Sequence, residues 1–233
     1  ETVMTTDAFL GPYTLVRENL KPLGMSAGDF DLAVAKDGKA YYFFERVHSE
    51  TICADLTPDY TDVTGYYSTH FPHPYPPYVR EATAHFERNY KHYLITSGTT
   101  GYLPNPSEVA VADTWHGPYT VLGNPHPDDE TRTSYHSQIS SVFKVPGKKD
   151  LYIALADRWA PDKMDIPYPF YEKMFEYVFT GRRDEVPSLL EEFKVTMEQF
   201  ERLNDSEQNT SLSDYVWLPL RFVEPCDQYT NGM

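Results

Sequence analysis

Three segments of this chain share one form. Val34 to Phe44, His85 to Ile95 and Val142 to Ile153 each run from an apolar strand through a polar tight turn into a second strand rich in aromatic or branched residues. The copies recur at roughly 50 to 60 residues, too long a period for solenoid repeats and suited to the blades of a β-propeller. The first two copies lead into a further strand, Thr51 to Leu56 and Glu108 to Asp113. A Gly-Pro-Tyr-Thr turn also appears twice, at Gly11 to Thr14 and at Gly117 to Thr120. The expectation is an all-β, partial five-bladed propeller of about three blades plus edges, in a single domain over residues 1–233. Blade two is expected from about Gly28 to Tyr67, blade three from about Arg80 to Leu122, and blade four from near Ser134 to a last strand at Tyr215 to Leu220. The chain is expected to begin at the outer edge of blade one.

Two stretches break the pattern. The prolines of Phe71 to Tyr78 predict an extended loop over the blade face. From Tyr168 to about Leu203 the apolar period lengthens: Val186, Leu189, Leu190, Phe193, Met197, Phe200 and Leu203 fall at steps of three and four. With Ser188 and Glu191 at capping-box spacing, this predicts one amphipathic helix, preceded by a shorter one over Tyr171 to Phe179, in a helical insertion at about 165–212.

Charge narrows the partners. Thirty-five acidic against 20 basic residues give a net charge of -15, a field that repels nucleic acid and anionic membranes and favours a neutral ligand. No run of about 18 apolar residues spans a membrane, and no leader opens this sequence, which leaves the compartment and the oligomeric state undetermined. Cys53 and Cys226 are far apart with no metal-ligand spacing, and free, packed thiols are expected rather than a disulfide. Gly-x-Ser-x-Gly, phosphate-binding glycine loops and helical zinc motifs are absent.

Carboxylates near the starts of the inner strands remain. Acids at matching positions of successive blades converge on one central pocket although they are far apart in sequence. Asp31, with Asp29 as its neighbouring alternative, precedes the first strand of blade two, and Glu81 stands at the corresponding place in blade three. Apolar and aromatic surroundings would let Glu81 hold its proton near neutral pH.

The order Gly28-Asp29-Phe30-Asp31-Leu32, Lys36-Asp37-Gly38-Lys39-Ala40-Tyr41, Arg80-Glu81-Ala82 and Tyr90 to Gly98 resembles glycoside hydrolase family 43, as do Ser134 to Gln138, Ala156 to Trp159 and Tyr215 to Leu220. The resemblance implies a five-bladed propeller that hydrolyses plant-type polysaccharides (galactan, arabinan or xylan side chains) by an inverting mechanism. It implies Glu81 as general acid, Asp31 as the carboxylate tuning its pKa, and a general base in blade one without a counterpart here. It implies no required cofactor, and it allows calcium or another ion beside His136, near the propeller axis. Flat aromatic faces and polar forks suited to sugars make Glu45, Arg80, Tyr102, His136, Gln138, Asp157 and Trp159 candidate substrate-binding residues. The Thr96 to Tyr102 turn and the Ser137-Gln138 pair are closest in form to the exo-β-1,3-galactanase branch. The alternative is a non-catalytic carbohydrate-binding propeller or an inactive fragment.

Overall fold

The structure, a computed structural model, describes residues 1–161, 165–204 and 209–223. Every sheet in it is an antiparallel meander. Strands β1 (Val3–Thr5) and β2 (Thr14–Arg17) form a two-stranded edge. Blade two follows as β3 (Ala27–Val34), β4 (Ala40–Arg46), β5 (Glu50–Leu56) and β6 (Val63–His70), and blade three as β7 (Arg80–Arg88), β8 (Lys91–Gly98), β9 (Glu108–Ala112) and β10 (Thr120–Gly123). Blade four has three strands, β11 (Gln138–Lys144), β12 (Tyr152–Arg158) and β13 (Asp214–Pro219). These are the expected blades to within a few residues, and the two Gly-Pro-Tyr-Thr turns lead into the outer strands β2 and β10.

The core lies between blades rather than inside a barrel. Phe43, Tyr41 and Cys53 of blade two meet Leu94 of blade three. Ala84, Phe86 and Ile95 of blade three meet Ile139, Val142, Tyr152, Ala154 and Ala156 of blade four. Alanines under large side chains let the two sheets approach closely, and the apolar area so removed from water is the main stabilising contribution. Cys53 is a free, fully buried thiol, and burial pushes its pKa up. Cys226 lies outside the described residues.

The helices sit between β12 and β13. Helix α1 (Tyr168–Phe179) begins earlier than its apolar period suggested, with Tyr168, Phe170 and Tyr171 buried. The single long helix expected after it is two, α2 (Val186–Phe193) and α3 (Met197–Asn204). Lys194 adopts a left-handed conformation at φ 56°, which stops α2, and the Val195 N–H turns back to the Leu190 carbonyl. Thr196 then starts α3 with a capping box: its N–H donates to Gln199 Oε1, and the Gln199 N–H donates to Thr196 Oγ1. The Ser188 hydroxyl instead donates to the Glu185 carbonyl. The apolar steps continue across this break because both helices pack on the same cluster around Phe170 and Leu189.

The proline-rich loop is turned rather than extended: the Tyr78 N–H reaches the Tyr75 carbonyl, and the Pro77 carbonyl accepts from the Thr99 N–H. This docks the loop against the start of blade three.

Candidate functional site

The innermost strand of each described blade is irregular near its start. Register shifts fall between Ala27 and Phe30 in β3, between Glu81 and Ala84 in β7, and between Ile139 and Ser141 in β11. A bulge re-aims the side chains beside it, and these three flank Asp29, Glu81 and Gln138. Ala82 takes φ 49° within the second of them, a conformation that costs a non-glycine residue roughly 1 to 2 kcal/mol. Its N–H is bonded to the Asp29 carboxylate, so the irregularities in β3 and β7 are tied together.

Three carboxyl groups meet there. Burial pushes the Glu81 pKa up to about 8, the Asp29 charge adds to the rise and the Glu45 charge adds further, while Arg80 and the neighbouring Thr99 hydroxyl offset part of it. Asp29 is open to solvent on one flank, yet partial burial raises its pKa against the bond from Ala82. Glu45 is buried, with its pKa raised by burial and opposed by the bond that its Oε1 accepts from the His48 N–H at 2.7 Å. Its carboxyl lies over Gly28, where a Cβ would come within 2.1 Å of Glu45 Oε2. Glycine at 28 therefore leaves the space that the third carboxyl group fills.

Asp31 is not the carboxylate that faces Glu81. Its Oδ2 accepts the His85 N–H at 2.7 Å and its Oδ1 accepts the Leu32 N–H at 2.8 Å, while burial raises its pKa. Asp31 thus struts β3 against β7 farther along the strands. The irregularity at the start of β3 directs Asp29 to Glu81, and two aspartates separated by one residue do not reveal in sequence which of them will be so aimed.

Arg80 also departs from its expected role. Its guanidinium turns into the blade, where Nε donates to Thr96 Oγ1 at 3.0 Å and Nη2 donates to the Thr96 carbonyl at 2.7 Å. Glu108 lies 3.9 Å away. The side chain holds β7 to β8 and, through the Pro106 carbonyl, to the loop before β9; Gly98 beside it has no room for a Cβ, which would meet the Pro77 carbonyl at 2.6 Å.

The other predicted residues come together. Tyr102, His136, Gln138, Asp157 and Trp159 line one cleft. Gln138 is fixed at both ends of its amide: Nε2 donates to Ser97 Oγ at 2.8 Å, and Oε1 accepts from Trp159 Nε1 at 2.9 Å. Ser97 is the residue that Glu81 faces in the β7–β8 ladder, so this cleft adjoins the carboxyl cluster. The Tyr102 and Trp159 rings lie 5.9 Å apart at 59°. His136 stands at φ 57° with its carbonyl held by Arg158 Nε, and its Nδ1 is buried without a hydrogen-bond partner. Among the described residues no group of three or more His, Cys, Asp or Glu side chains is arranged to hold a metal ion.

This arrangement supplies a carboxyl group whose pKa is pushed up to about 8, further carboxyl groups around it, and an aromatic cleft with an oriented amide. The Ser97 link between Glu81 and Gln138 was not legible in sequence; the one faint signal nearby is Gly28, whose missing Cβ leaves room for the Glu45 carboxyl.

No family model and no curated protein matches the chain. Solved structures do. Over 94% of its length the chain is similar to a family 43 β-1,3-galactosidase, BT0265, at 26% identity and a TM-score of 0.66. A second family 43 β-1,3-galactosidase, BT3683 with galactodeoxynojirimycin, matches 96% of the chain at 21% identity and a TM-score of 0.66. 1,3Gal43A, an exo-β-1,3-galactanase from Clostridium thermocellum, matches 96% of it at 24% identity and a TM-score of 0.62. The chain spans 36%, 63% and 40% of those three chains, less than two thirds of each. No sheet of the described residues closes, and the blades follow one another as they do in part of a ring. The chain has the fold of a glycoside hydrolase family 43 β-propeller, of which it forms a part.

Proposed function

We propose that this chain belongs to an enzyme that hydrolyses glycosidic bonds of a galactose-containing, plant-type polysaccharide, with Glu81 as its general acid. The observation that carries this reading is the placing of Glu81 at the bulge of β7 beside the bulge of β3, where burial and the charges of Asp29 and Glu45 push its pKa up to about 8. A carboxyl group in that state can give a proton to the leaving glycosidic oxygen at neutral pH. Asp29 replaces Asp31 as the tuning carboxylate. The solved relatives named as β-1,3-galactosidases and exo-β-1,3-galactanases support galactan as the first substrate to try, ahead of arabinan and xylan.

The chain's own residues account for one half of an inverting reaction. Glu81 protonates the leaving oxygen, and its new negative charge is then disfavoured by Asp29, which drives the proton's recapture for the next turnover. Tyr102 and Trp159 offer ring faces to the sugar, and Gln138, held by Ser97 and Trp159, presents a fixed amide. The resemblance assigns the base to blade one, and in an inverting site it would stand roughly 6.5 to 9.5 Å from Glu81, across the sugar.

Release of reducing sugar from β-1,3-galactan, arabinan and xylan tests the reading, with Glu81→Gln beside the parent. Loss of turnover with retained glycan binding supports the acid; unchanged turnover refutes it. Proton NMR of the first-formed anomer tests inversion. Glycan binding by the parent without any turnover would favour a binding propeller instead.

A further inference from the structure

We propose that Ser68 is the nucleophile of a second reactive site, one that takes short-chain carboxylic esters and lies on the outer rim where blade two meets blade three. Ser68 is on β6, the outermost strand of blade two. Its Oγ lies 2.9 Å from Nδ1 of His116, whose Nε2 lies 2.6 Å from Asp55 Oδ1. Nε2 of His70 lies 2.8 Å from the same hydroxyl. None of these residues belongs to the Glu81 cluster or to the Gln138 cleft.

Proton accounting fixes the roles. Asp55, as a carboxylate, only accepts, so His116 Nε2 carries a hydrogen, and in the neutral imidazole its Nδ1 then keeps a lone pair. The Ser68 hydroxyl donates to that lone pair, and having one hydrogen it must accept from His70 Nε2. Burial is the largest cause of a His70 pKa lowered to about 4, so His70 is neutral and its Nε2 can carry the hydrogen that this chain requires. The result is a hydroxyl aimed at a base that is itself oriented by a carboxylate, the arrangement that activates a serine. His70 holds the hydroxyl's rotamer, with its Nε2 against Ser68 Oγ and the hydroxyl hydrogen thereby turned to His116.

The hydroxyl is approachable. Ser68, His70 and His116 line an open groove with Tyr66, Phe71 and Tyr119. Tyr66 is 62% exposed, and its ring meets that of His116 edge-on at 4.8 Å, an apolar wall beside the base. A small acyl group fits such a setting better than a charged one, because these rings offer no cation to pair with it.

The chemistry balances without a further reagent. Ser68 Oγ bonds to the ester carbonyl carbon while its proton passes to His116 Nδ1, and Asp55 stabilises the imidazolium. The carbon–oxygen bond to the alcohol then breaks, and the alcohol leaves with that proton. Water adds to the acyl-serine, giving its proton to His116. The bond to Oγ breaks, Oγ takes the proton back, and the carboxylic acid is released.

The test is hydrolysis of p-nitrophenyl acetate by the whole chain, with peptide mass mapping after exposure to a fluorophosphonate. Covalent label on the peptide carrying Ser68 is expected, with p-nitrophenol release falling at least 100-fold in Ser68→Ala and His116→Gln, whose folding is checked by thermal melting. Unsubstituted, folded protein that carries no label at Ser68 overturns the proposal even if a variant fails to fold. Ester hydrolysis by a folded Ser68→Ala at the parent rate overturns it equally.

Discussion

Asp29 and Glu81 face each other across the irregular starts of two neighbouring blades: the Asp29 carboxylate accepts the N–H of Ala82, and its charge is, after burial, the largest cause of the raised Glu81 pKa. The two strands thereby set the protonation state of one by the position of the other. An isolated Glu81 at a strand end would titrate as an ordinary carboxyl group; here the backbone geometry keeps an anion beside it.

Asp31 and Asp29 should separate cleanly on mutation. Asp31→Ala leaves the His85 and Leu32 N–H groups without their acceptor, at a cost of about 1 to 3 kcal/mol in urea unfolding. Asp29→Asn keeps an oxygen for Ala82 and removes a like charge from Glu81, so its unfolding midpoint should stay within about 0.5 kcal/mol of the parent or rise.

Stability should depend on pH through Glu81 in a defined direction. Its folded pKa of about 8 lies above the ordinary 4.5, so the folded chain holds a proton that the unfolded chain releases. The contribution is complete below pH 4.5 and is lost as pH rises through 8. Relative to Glu81→Gln, the parent should lose a few kcal/mol between pH 5 and pH 8.5, measured by urea denaturation. His70 and His85, whose burial lowers their pKa to about 4 and about 3, act in the opposite sense below pH 6.5 and cancel because both proteins carry them.

The blades were legible because strand, turn and aromatic strand are local signals, and their repetition names the architecture. Glu81 stood out by its matching place in a repeat, and Tyr102, Gln138 and Trp159 by side chains suited to a sugar; the fold brings the last three to one cleft. Asp29 and Arg80 were not. The bulge that aims Asp29 depends on pairing across β3 and β4, and Arg80 turns inward to carbonyls of β8 and of the loop before β9, distant in sequence. The helix break was hidden because Lys194, an ordinary helix former, occupies a left-handed position where glycine would have signalled a stop.

That position gives a third prediction. Lys194→Gly removes the cost of a side chain at φ 56° and should raise stability by about 0.5 to 1 kcal/mol, read as a higher urea midpoint. A lower midpoint would mean that the turn between α2 and α3 is held by the lysine itself.

Trp159→Phe keeps a ring in the cleft and removes the donor that fixes Gln138 Oε1. Binding of a β-1,3-galacto-oligosaccharide, measured by calorimetry, should weaken about tenfold while the melting temperature changes little. Equal binding would remove the oriented amide from the account.

The protonation of Glu81 is measured most directly by carbon NMR titration of the glutamate side-chain carboxyl groups, assigned by comparison with Glu81→Gln. One resonance should titrate near pH 8, vanish in Glu81→Gln, move to lower pH in Asp29→Asn, and stay in place in Asp31→Asn. Titration of the Glu81 resonance near pH 4.5, or the same midpoint with and without the Asp29 charge, would contradict the account.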